Sequence, residues 1–148
     1  MTLIFVDCEA DMKSPCPGLG LGMTEFGAVE YVTEKFYHGC ATNTKSWYTI
    51  MLEFEQWLHE FTSPFVFISD NNGYDWQWIN YYFWHQLNRN PFGHSSRRIT
   101  DYYAGLCGNF RTPAKKWKRL RVTPHDHNPV HDAMGNLEAF KRMEKGER

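Results

Sequence analysis

No apolar run in the 148-residue chain reaches the roughly 18 residues of a membrane helix, which excludes a helical membrane anchor within it. Its first residues form a strand-like apolar run that breaks into acid, unlike a secretory signal. The four cysteines, Cys8, Cys16, Cys40 and Cys107, show no short paired spacing, excluding zinc-knuckle and thioredoxin-type motifs and reading as reduced thiols of a cytoplasmic protein. Net charge is also small, at −1, so whole-chain charge names no partner. At this length the chain can bury a real core but has no room for a second domain, so 1–148 reads as a single domain.

Charge distribution says more than its total. Residues 1–96 carry 4 Lys/Arg against 11 Asp/Glu, whereas residues 97–121 carry 8 against 1. An acidic body with one basic segment suits a metal-dependent enzyme acting on a polyanion, although a solvated basic loop fits as well. Within that segment Lys115, Lys116, Lys118, Arg119 and Arg121 surround Trp117. An aromatic among cations can stack a base beside a phosphate backbone, and it can equally be the core residue of a short basic helix; the two readings stand even.

Three stretches carry chemistry. Leu3-Ile4-Phe5-Val6 is an unbroken apolar run suited to a central strand buried on both faces, and it ends in Asp7, Glu9 and Asp11. Alternation along a strand puts these three acids on one face, where their repulsion calls for a cation. An acidic turn is the blander account of the same residues.

The predicted order continues with a loop over 13–22, strands over 23–31 and 33–37 forming an antiparallel meander, and an amphipathic helix over 49–61. The run 65–68 then reads as a strand parallel to the first. Beyond it, Asn71-Asn72-Gly73-Tyr74-Asp75 leads into a helix opened by Asp75, with Trp76, Ile79, Phe83 and Leu87 as its apolar face. A helix cap explains Asp75 alone. A parallel pair, however, would carry Asp75 toward Asp7 and Glu9. Residues 90–98 read as loop, and 99–104 as a short strand or a helix start.

The third stretch holds His125, His127 and His131, followed by Asp132 in the first turn of a terminal helix with the stripe Ala133, Leu137, Phe140 and Met143. An acid is favoured there by the helix dipole.

In order and spacing, Asp7-Cys8-Glu9, the Asn71 to Asp75 run, and His127 four residues before Asp132 resemble the three motifs of the DnaQ-like, DEDDh 3′–5′ exonucleases. The sister class uses Tyr at a three-residue gap, a slot that holds Asn128 here. Small stand-alone exoribonucleases such as RNase AS and oligoribonuclease are the nearest in kind. The resemblance implies a ribonuclease H-like α/β fold: a three-strand antiparallel meander extended by parallel strands and flanked by helices. It implies Asp7, Glu9, Asp75 and Asp132 as ligands of two Mg²⁺ or Mn²⁺ ions, and His127 as general base. Single-stranded nucleic acid 3′ ends would be the substrate, RNA slightly favoured over DNA, with nucleoside 5′-monophosphates released. Tyr74 and Trp76 would stack on the terminal base, and Arg98, Lys115, Lys116 and Arg121 would hold phosphates. No membrane partner is implied, and a homodimer stays open.

Two other functions fit parts of the chain. His125, His127, His131 and Asp132 could serve a zinc metallohydrolase, which would leave Asp7, Glu9 and Asp75 without a role. A non-catalytic nucleic-acid-binding module on the same fold would not need all four acids to be present.

Overall fold

The computed structural model describes residues 1–11, 16–19 and 22–148, so the loop expected over 13–22 lies partly outside the described residues. Strand β1 (Thr2–Ala10) occupies the centre of a five-stranded sheet ordered β3-β2-β1-β4-β5. It pairs antiparallel with β2 (Met23–Glu30) and parallel with β4 (Phe65–Ser69), as expected of a meander extended by parallel strands. Alternation explains its unbroken apolar run. Ile4, Val6 and Cys8 enter one buried cluster with helices α1 (Trp47–Leu58) and α2 (Asn72–Leu87), while Phe5 enters a second on the opposite face with Leu137 and Phe140.

The other boundaries move for local reasons. The turn after β2 is longer than expected, because the Glu30 carboxylate accepts hydrogen bonds from Val32 N (3.0 Å) and Thr33 N (2.7 Å). Strand β3 therefore spans Phe36–Cys40 rather than 33–37. Helix α1 starts early because Ser46 caps it, its hydroxyl accepting from Thr49 N at 3.3 Å. Asp75 does not open α2; the helix begins at Asn72, which puts Asp75 in its first turn. Trp78, with Ile79, Phe83 and Leu87, fills the buried face, and Trp76 is only half-buried. Strand β5 (Ser96–Arg98) lies inside the stretch read as loop, and α3 (Ile99–Leu106) follows it directly. Among the described residues no helix is long and apolar enough to cross a membrane.

The even reading of Trp117 resolves toward the core. The residue lies on α4 (Lys115–Lys118), fully buried, its indole N–H donating to Thr100 Oγ1 at 3.1 Å. Helix α5 (Pro129–Glu144) is capped by Asn128, which accepts from Val130 N at 3.0 Å and His131 N at 3.3 Å. Ala133, Leu137, Phe140 and Met143 are buried, as the stripe foretold.

Helix α5 seats on β2 at Gly27. A Cβ built there would lie 2.3 Å from the carbonyl carbon of Pro129 and 2.4 Å from Val130 N, both backbone atoms with little freedom to yield. Gly27→Ala should lift the helix start from the sheet and cost about 1–3 kcal/mol, the usual range for overpacking. Denaturant midpoints would read this, and an unchanged midpoint would show that α5 can ride outward freely.

Candidate active site

Pairing of β1 with β4 ends at Phe5 and Ile68, whereas pairing with β2 continues to Ala10. Asp7, Cys8 and Glu9 thus overhang the end of β4, and Cys8 N–H faces no strand there. The Asp75 carboxylate takes the vacated place, its Oδ1 accepting from Cys8 N at 3.1 Å. One turn into α5, Asp132 comes down on the same point. One carboxylate oxygen each from Asp7, Glu9 and Asp132 lies within 4.8 Å of the others. Three distant chain segments thereby deliver four acids.

The electrostatics are adverse. Asp75 and Asp132 are 2% and 1% exposed, and among the described residues Asp75 Oδ2 and both Asp132 oxygens accept no hydrogen bond. Burial, then the charges of Asp75, Asp132 and Glu9, push the Asp7 carboxyl up to about 9, against a small lowering by Arg121. Burial likewise raises Asp75, to about 7, although the Cys8 N–H opposes it. Glu9 is raised by burial, with His127 as its main opposing charge. Buried carboxylate oxygens without donors, crowded within reach of one another, fit hard divalent cations that bind through oxygen. Asp7, Glu9 and Asp132 would hold such an ion directly, with Asp75 beside Asp7.

The three histidines separate. His127, 75% exposed at its side chain, stands in the left-handed region (φ 62°) with Nδ1 3.6 Å from Glu9 Oε1. His125 Nδ1 lies 2.7 Å from Asp132 Oδ2, although the contact lacks hydrogen-bond direction, and its ring centroid is 4.5 Å from that of His127. His131 turns away to Asp126, at 2.8 Å. The full zinc quartet of His125, His127, His131 and Asp132 is therefore not assembled.

The expected substrate-contacting residues scatter. Tyr74 borders the acids: after burial, Cys8, Glu9 and Asp75 raise its phenol. Trp76 instead packs edge-on against Phe67, ring centroids 5.2 Å apart. Lys115 and Lys116 are exposed on α4. Arg98 donates to the Asp70 carbonyl at 3.1 Å and lines a cavity of about 550 Å³ with Leu3, Ile68 and Tyr102. Arg121 is not a surface cation. Its side chain is 8% exposed, lies 3.8 Å from both Asp70 Oδ2 and Asp132 Oδ1, and donates to Asn136. Sequence reasoning missed this counter-charge network, in which Lys118 also pairs with Asp70.

An acid with a raised folded pKa holds its proton more tightly in the native state, so its stabilising contribution is complete below its ordinary range and is lost as pH rises through the raised value. Metal-free protein should therefore lose thermal stability from about pH 4 toward about pH 9 on account of Asp7. Asp7→Asn should flatten that decline and raise Tm at the alkaline end, where added Mg²⁺ or Mn²⁺ should also stabilise the wild type most. Overlapping Tm profiles for wild type and Asp7→Asn would remove Asp7 from the repulsive cluster.

No family model matches the chain. It is 31% identical over 102 residues to the Escherichia coli protein named 3′–5′ DNA exonuclease Cap18, an alignment covering 64% of this chain and about half (54%) of that relative. The fold is similar to the crystal structure of the nuclease domain of 3′hExo, a DEDDh family member, bound to rAMP. That likeness has TM-score 0.62 and 13% identity, over 98% of this chain and 92% of the other. A mixed five-stranded sheet with flanking helices is thus shared with a ribonuclease H-like DEDDh nuclease domain. The chain is thus similar in sequence to a protein named as a 3′–5′ DNA exonuclease and in fold to a DEDDh nuclease domain.

Proposed function

We propose that residues 1–148 form one nuclease domain, a 3′–5′ exonuclease that removes nucleoside 5′-monophosphates from single-stranded ends with two Mg²⁺ or Mn²⁺ ions and His127 as general base. The observation that carries this reading is that, among the described residues, no donor satisfies the buried carboxylate oxygens of Asp75 (Oδ2) and Asp132 beside the end of β1. The named relative supports the reaction class and polarity. When bound, the ions would stabilise the entering and leaving oxygens of an in-line displacement at phosphorus. Asp7, Glu9, Asp75 and Asp132 would hold them.

The remaining work falls to the chain's own groups. His127, on an exposed loop with Nδ1 3.6 Å from Glu9 Oε1, would take the proton of the attacking water. Tyr74, against Glu9 and Asp75, is placed to contact the terminal sugar or base. Lys115 and Lys116 offer exposed charge to the strand's phosphates, while buried Arg121 balances Asp132. RNA is the substrate expected from likeness to the small exoribonucleases; the relative's name favours DNA as the second reading.

With Mn²⁺ and 5′-labelled single strands of equal sequence, products should shorten one nucleotide at a time from the 3′ end, the faster ladder naming the sugar. A 3′-phosphate should block digestion. Asp7→Ala should abolish turnover with secondary structure intact, and His127→Ala should cost on the order of 10²–10⁴ in rate. Cleavage of a circular single strand would contradict the reading.

A further inference from the structure

We propose that His125, His127 and Asp132 form a transition-metal site, best suited to zinc, that overlaps the carboxylate cluster and silences it when filled; the silencing rests on the exonuclease reading, the binding does not. One ligand atom from each of the three residues lies within 4.8 Å of the other two. Tetrahedral zinc, with bonds of about 2.0–2.1 Å, places its donors about 3.3 Å apart, so no pair of donors has to close by more than about 1.5 Å. The parts are built for that movement. Asp132 is buried on α5, and among the described residues neither of its oxygens accepts a hydrogen bond. The two imidazoles ride on an exposed loop, and His125 already has Nδ1 2.7 Å from Asp132 Oδ2. His127 holds a positive φ of 62°, and its ring meets that of His125 at 4.5 Å. His131 is excluded by its pairing with Asp126.

Ligand chemistry divides the two neighbouring sites. Two imidazoles and a carboxylate favour zinc, whereas Asp7, Glu9 and Asp132 favour magnesium or manganese. Asp132 belongs to both sets. Zinc held by His127 and Asp132 withdraws the proton acceptor and one carboxylate at once, so the site acts as a brake.

The binding test uses metal-free protein without nucleic acid, titrated with Co²⁺ as a spectroscopic stand-in and then with Zn²⁺. One Co²⁺ per chain should give the visible absorption of a tetrahedral site and be displaced by Zn²⁺. The band should vanish in His125→Ala, His125→Gln and His127→Ala, and persist in His131→Ala. A band that survives loss of His125 or His127, or that disappears with His131, overturns the site. The second arm titrates Zn²⁺ into Mn²⁺-driven digestion, each variant read against its own zinc-free rate. Wild type and His131→Ala should be inhibited at matching zinc concentrations, and His125→Ala only at concentrations an order of magnitude or more higher. Equal inhibition of His125→Ala would mean that zinc acts at the carboxylates, sinking this proposal while leaving the exonuclease standing. Zinc binding in the stated pattern without any Mn²⁺-driven turnover would leave the site standing and remove the exonuclease reading and the brake with it.

Discussion

Repulsion among buried carboxylates is the constraint around which the molecule is arranged. Asp7, Glu9, Asp75 and Asp132 crowd the end of the central strand, and Arg121 is the cation that reaches Asp132 from the protein interior. Its guanidinium is itself held: it lies 5.3 Å from the Trp117 ring, beside Asp70, and donates to Asn136. Gly135 leaves room for it, since a Cβ there would lie 3.2 Å from the Arg121 side chain and 2.8 Å from the Thr123 carbonyl. Among the described residues, Arg121 and His127 offset these negative charges only in part, which keeps the Asp7 carboxyl raised.

Backbone geometry supplies the other half. A parallel pair in which one strand overruns its neighbour leaves an unpaired N–H, and filling it with an aspartate side chain couples sheet register to the position of a carboxylate. Alternation along β1 puts Asp7 and Glu9 on the same face as Phe5, the face that α5 covers. Packing at Gly27 then fixes how near the first turn of α5 approaches.

Much of this was legible in the sequence, and the illegible remainder has a common cause. The strand bearing Asp7 and Glu9 announces itself by a local apolar run, and Asp132 by its place ahead of a helical stripe; both signals span only a few residues. The run before Asp75 reads as a strand parallel to the first, but the position of Asp75 inside α2 depends on Asn71 and Asn72 starting the helix early. Strand β5 carries no apolar alternation and becomes a strand only by lying beside β4. Arg121 looks like its basic neighbours until tertiary packing buries it, and Trp117 could not be assigned to core or surface for the same reason. The histidines sort by which acid each one reaches, a property of loop conformation that spacing does not encode.

Because Asp132 stands on α5, after every other described element in chain order, the acidic centre stays incomplete until that helix docks across β1 and β2. A chain emerging from the ribosome at about 5–20 residues per second therefore passes through its growth lacking the final carboxylate and the histidine loop before it. Under the proposed exonuclease function, a nascent chain would therefore gain a complete acidic centre only once α5 has been made.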